Sequence, residues 1–185
     1  MVPLDPIEQE RQRRSFRLRL VPTVLVLFLM VGSALLPQVG VVGAENFGRN
    51  LLQASHFFLT VDSRAPAFAG LDQALVNAGI NVAYLGISAN EVGLALGIAS
   101  FWVLAAEEVG RWMRRVVLAA GWLLALSAPL VVTGYQLLEA AGVRSYLGVA
   151  WLPTLSAGLI MIIGGLAARK RLTSTWYWSR PELIT

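Results

Sequence analysis

The sequence predicts an all-α integral membrane protein: a four-helix transmembrane bundle with one or two interfacial amphipathic helices in a long first outer loop. Three observations predict it. Of 185 residues, 56% are apolar and only 14% charged, where a soluble domain carries about a quarter charged residues, and the mean hydropathy is +0.63. The charge is gathered into short blocks that leave four long uncharged runs. Those blocks are dominated by arginine set beside apolar segments, the distribution that fixes membrane topology rather than one that lines a binding face. A disordered chain, a soluble globule and a nucleic-acid-binding domain are excluded on the same grounds, despite an isoelectric point of about 10.1.

The uncharged runs cover residues 20–44, 92–106, 116–138 and 145–168. About 20 helical residues cross about 30 Å of hydrocarbon, and backbone amides in lipid bond within their own segment. Each run therefore reads as a helix, with spans at about 20–42, 89–109, 113–137 and 146–168. A basic segment, 1–19, precedes the first. Its apolar core followed by Val42-Gly43-Ala44 has the layout of a secretory signal. The uncharged run is too long for a signal core of roughly 7–15 residues, so it reads as a retained helix.

The second run is short and needs extension. Ser88 and Glu91 have the spacing of a capping box, which places a helix start near Ala89 and leaves Glu91 at the polar interface. Glu107 and Glu108 close the helix, Gly110 stops it, and Arg111 sits one turn on for ion pairing. A single helix from Ala89 to Tyr135 would bury this charged block in lipid and is set aside. Pro129 and Pro153 fall inside the third and fourth spans and are expected to bend them. Ser127, Thr133, Thr154 and Ser156 are placed to satisfy the freed carbonyls.

The outer loop, 45–87, carries Phe47, Leu51 and Phe58 on one helical stripe, flanked by Leu52 and Leu59. Arg49, Asn50 and Gln53 fall largely elsewhere, the pattern of an interfacial helix. Pro66 ends it, and a second short helix is expected over 69–78, with Leu71 and Leu75 set against Asp72 and Asn77.

Arginine counting gives the orientation. Arg11, Arg13, Arg14, Arg17 and Arg19 precede the first span, Arg111, Arg114 and Arg115 join the second to the third, and Arg169, Lys170, Arg171 and Arg180 follow the fourth. Twelve of the fifteen cations thus share one side, against Arg49, Arg64 and Arg144 on the other. The positive-inside rule puts both termini, including the tail 169–185, in the cytoplasm of a multi-pass protein. Tyr135, Tyr146 and Trp151 would line the outer interface, and Trp112, Trp176 and Trp178 the inner one. The lack of cysteine fits a prokaryotic cytoplasmic membrane.

The same lack excludes disulfides, thiolate catalysis and cysteine-held metals. His56, the one histidine, cannot build a two-histidine metal site. It is a candidate axial ligand to haem or a chlorophyll-type pigment, or else an interfacial side chain bonded to water. Small residues at Gly93 and Gly97, Gly121 and Ala125, and Gly158, Gly164 and Gly165 point to close helix packing, within the bundle or against a partner. With Glu91 at the interface, no ionisable residue occupies the centre of a span, where pumps, carriers and intramembrane hydrolases place theirs. The expected function is therefore that of a non-catalytic integral membrane subunit, a scaffold or accessory component of a larger complex. Its expected partners are the lipid bilayer and other membrane subunits, with no nucleic acid and no cofactor. The alternatives are an electron-transfer or light-harvesting subunit using His56, and a passive channel or lipid-handling protein.

Overall fold

Proline and capping residues set the boundaries of most elements. The computed structural model describes residues 6–41, 50–106 and 109–178; side chains of residues 6–9, 11–17, 67 and 168–178 lie outside that description. Helix α1, Pro6–Leu35, carries its 30 residues from the basic segment into the first apolar run. It stops two residues before Pro37, whose ring disfavours helical backbone at the residue before it. The expected first span is thus cut short of residue 42. Residues Val39–Val41 instead form β1, paired antiparallel with β2, Ser145–Leu147, so that Val39 faces Leu147 and Val41 faces Ser145. The fold is mostly helical as expected, with this short ribbon added among the described residues. Two glycines permit this ribbon: a Cβ on Gly40 would meet the Tyr146 ring at 2.6 Å, and one on Gly148 would strike the Pro37 carbonyl.

Helix α2, Leu51–Thr60, is capped by Asn50, whose side-chain oxygen accepts the Gln53 N–H at 3.0 Å. It buries Leu51, Ala54, Phe57 and Phe58 and exposes Leu52 and Leu59. Phe47 and Arg49 of the expected stripe lie outside the described residues. Pro66 opens a separate 3-10 turn, Pro66–Phe68.

The largest departure from expectation is α3, Gln73–Ser100. Asp72 caps it, accepting the Ala74 and Leu75 N–H groups at 2.9 and 3.2 Å. The helix runs 28 residues and tightens into a 3-10 turn, Phe101–Leu104. The short helix expected over 69–78, the polar stretch after it and the expected second span are one element. Ser88 and Glu91 stand in its middle and cap nothing. Helix α4, Arg111–Ala140, begins after Gly110, which is its N-cap rather than the stop of α3. Glu107, Glu108 and their expected pairing lie outside the described residues. The end of α4 is a Schellman turn, in which Gly142 adopts φ +86, and Val143 and Gly142 donate to the Leu138 and Glu139 carbonyls at 2.9 Å.

Helix α5, Trp151–Trp178, starts later than expected because β2 takes residues 145–147. Pro153 therefore stands in its first turn, where no helical bond is lost, and does not bend it. Pro129 is interior to α4. Ser127 donates to the Leu124 carbonyl at 2.8 Å, not to the Ala125 carbonyl that Pro129 frees.

Among the described residues, three segments are long and apolar enough to cross a membrane: Leu18–Leu35, Gln73–Leu104 and Arg111–Ala140. The apolar part of α5, Trp151–Ala167, is shorter. Helices α3 and α4 form an antiparallel hairpin with the most extensive contact in the fold; α5 packs on α4, and α1 on α5. The buried row of α3 is Gly79, Ala83, Gly86, Asn90, Gly93, Gly97 and Ser100, at alternating steps of four and three. This is coiled-coil spacing filled with small residues, which lets the backbones approach closely. A Cβ on Gly79 would meet Leu138 at 2.8 Å, one on Gly86 the Val131 backbone nitrogen at 2.8 Å, and one on Gly93 Leu124 at 3.0 Å. Each step of seven along α3 is matched by a step of seven back along α4, which locks the register.

Gly86→Leu drives a side chain into the Val131 backbone of α4. It is expected to lower unfolding stability by about 1–3 kcal/mol, read as a fall in Tm in mild detergent.

Candidate functional site

Polar groups inside an apolar bundle can be satisfied only by one another or by backbone. Ser33 of α1, Asn90 of α3 and Thr154 of α5 meet in this way, exposed by 0%, 2% and 1% respectively. The Thr154 hydroxyl donates to the Ala150 carbonyl at 2.7 Å. The Ser33 hydroxyl lies 2.5 Å from Thr154 Oγ1 and 3.2 Å from the Asn90 amide. With the Thr154 proton committed, Ser33 donates to Thr154 and Asn90 Nδ2 donates to Ser33 Oγ, so the chain of bonds runs one way from α3 through α1 to α5. Gln38 Nε2 extends it, donating to the Ser33 carbonyl at 2.6 Å, while the Gln38 carbonyl accepts from Gly148 N–H at 2.6 Å. The helix junction and the ribbon are thereby joined.

Glu91 is the residue after Asn90. The close approaches of Gly93 to Leu124 and of Gly86 to Val131 put it level with Leu126. The uncharged run of α4, between Arg115 and Glu139, is centred on Ser127. Glu91 thus lies within about 1.5 Å, one residue of helical rise, of the middle of that run. Glu91 therefore stands inside the apolar segment Gln73–Leu104 rather than at the helix start expected near Ala89. Glu91 is half-buried, and among the described residues no hydrogen bond or ion pair reaches it. Two signals in the sequence point to this depth: the uncharged residues 73–90 ahead of it, and the four–three spacing of small residues from Gly79 to Ser100.

His56 is exposed on α2, whereas Phe57 and Phe58, with ring centroids 5.0 Å apart in an edge-on pair, turn inward. Among the described residues, no three His, Asp or Glu side chains converge as metal ligands.

The small residues singled out for packing all approach other helices of this chain. Gly93 faces Leu124, and Gly97 faces Met30 and Met161. A Cβ on Gly158 would meet the Ala125 nitrogen at 2.6 Å and the Gly121 carbonyl at 2.7 Å. Gly165 faces Leu118, and Gly164 faces Leu104.

Of the topology residues, Arg114 donates from Nε to the Gly165 carbonyl at 3.1 Å, tying α4 to α5. Arg19 is half-buried and Arg115 exposed. Arg13, Arg14, Arg17, Arg169, Lys170 and Arg171 belong to α1 or α5, with side chains outside the described residues. Comparison with protein-family models, curated proteins and solved structures gives no match.

A double-mutant cycle of Ser33→Ala and Thr154→Val is expected to give a coupling energy of about 0.6 kcal/mol, with about 1.7 kcal/mol as the ceiling for such bonds between membrane helices. Additive losses in unfolding stability would show that the two hydroxyls act independently.

Proposed function

We propose that this chain is a multi-pass integral membrane subunit with a non-catalytic, scaffolding role in a larger membrane assembly. Helices α1, α3, α4 and α5 are its four spans, and both termini are cytoplasmic. The observation that carries the proposal is the incomplete cover of α1. Only 22% of its apolar window is buried in the fold, against 39% for α3 and for α4. Leu20, Val21, Val24, Leu25 and Phe28 line an open groove on its outer side. Apolar surface on this scale belongs against lipid or another subunit's helix.

The fourth span is supported by the antiparallel packing of α5 on α4, which returns the chain to the arginine-rich end. That end gathers Arg19, Arg111, Arg114 and Arg115 together with the basic residues after 168, the side that stays in the cytoplasm. Ser33, Asn90 and Thr154 bond between helices, while Thr23, Ser100 and Ser127 bond carbonyls of their own helices; the interhelical bonds suit a rigid scaffold.

Native mass spectrometry of the gently solubilised protein is expected to show a second polypeptide in fixed ratio; a lone monomer overturns the subunit reading. Reporters fused at Met1 and Thr185 are expected to report the cytoplasmic side together, and opposite sides overturn the topology.

A further inference from the structure

We infer that the edge of α3 bearing Glu91 docks a transmembrane helix of another protein that carries a lysine or arginine at mid-membrane depth; this rests on the subunit reading above. The edge runs Tyr84, Ser88, Glu91, Ala95 and Ile98, again at steps of four and three. It is distinct from the buried row that faces α4, and it is half-buried or exposed throughout. Small residues, Ser88 and Ala95, flank Glu91 one turn either way. They leave room for a second backbone to come close, as Gly86 and Gly93 do for α4.

The carboxyl group supplies the chemistry. At the middle of the bilayer a carboxylate is costly unless a cation or hydrogen-bond donor meets it, and among the described residues none does. This chain cannot provide the cation by self-association. None of its fifteen cations falls within 20–48, 65–110, 116–143 or 145–168, so a second copy has no positive charge at that depth. Charge complementarity therefore selects a different protein over another copy of this one.

The test uses the full chain reconstituted in phosphatidylcholine vesicles and two synthetic leucine-rich transmembrane peptides, one with a central lysine and one without. Association is read by energy transfer between labels. The lysine peptide is expected to bind on the order of tenfold more tightly than the all-leucine peptide. Glu91→Gln should remove that preference, and Glu139→Gln, at the far end of α4, should keep it. Ala95→Phe blocks the edge sterically while retaining the carboxyl group, and it too should abolish binding; Tm of each variant checks that it folds.

Equal binding of the two peptides, or a lysine preference that survives Glu91→Gln, overturns the inference. Dimerisation of the chain that Glu91→Gln abolishes also overturns it, in favour of a second copy. Because the peptides replace the native partner, the two readings fail separately. A lone monomer in native mass spectrometry beside Glu91-dependent peptide capture sinks only the subunit reading. A co-purifying polypeptide beside indifferent peptides sinks only the docking surface.

Discussion

The close approach of the α3 and α4 backbones is the constraint on which the rest of the structure depends. Gly79, Gly86 and Gly93 on one helix, and Gly134 on the other, remove the side chains that would hold the pair apart. In lipid, helices gain little from hiding apolar surface from each other. Association therefore relies on dispersion at short range and on the few polar bonds that short range permits. Glycine inside a helix costs roughly 1 kcal/mol against alanine, a cost set here against contact along the whole length of the hairpin. The register fixed by these contacts decides the depth of every other residue on α3.

From that register the polar junction follows. Asn90 sits in the small-residue row, where its side chain can reach past the hairpin to Ser33 and, through it, to Thr154. The junction closes α1 and α5 onto a pair that already stands. The ribbon of β1 and β2 adds a second tie through Gln38, so the connections after α1 and before α5 are held by backbone bonds rather than left loose. Nearer the basic blocks, Arg114 bonds the Gly165 carbonyl and anchors α4 on α5.

Much of this was legible in the residues. The apolar runs, the arginine blocks and the amphipathic α2 follow from composition and period alone; its Asn50 cap does not. The start of α3 was hidden by a local signal: Ser88 and Glu91 mimic a capping box, and the asparagines and glycines of 73–90 resemble a polar loop. Those glycines are small because another backbone lies against them, which a helix read in isolation does not show. Pro153 was misplaced for a related reason. Uncharged residues 145–150 extend the apolar run but form the strand and turn that precede α5. The ribbon itself depends on pairing between residues more than a hundred positions apart, which no local pattern records. The docking edge around Glu91 became visible only once the depth of α3 was set.

The central claim is that α3 is one membrane-crossing helix with Glu91 at its mid-depth. The chain has no cysteine, so single nitroxide labels can be placed along its exposed positions at Asn77, Leu85, Val92 and Trp102, and their depth read from the ratio of oxygen to polar-relaxant accessibility in vesicles. The account expects the greatest depth at Val92, with the label at Leu85 shallower and those at Asn77 and Trp102 near opposite headgroup layers. A label at Val92 that reports headgroup depth, with depth increasing only toward Trp102, would contradict it.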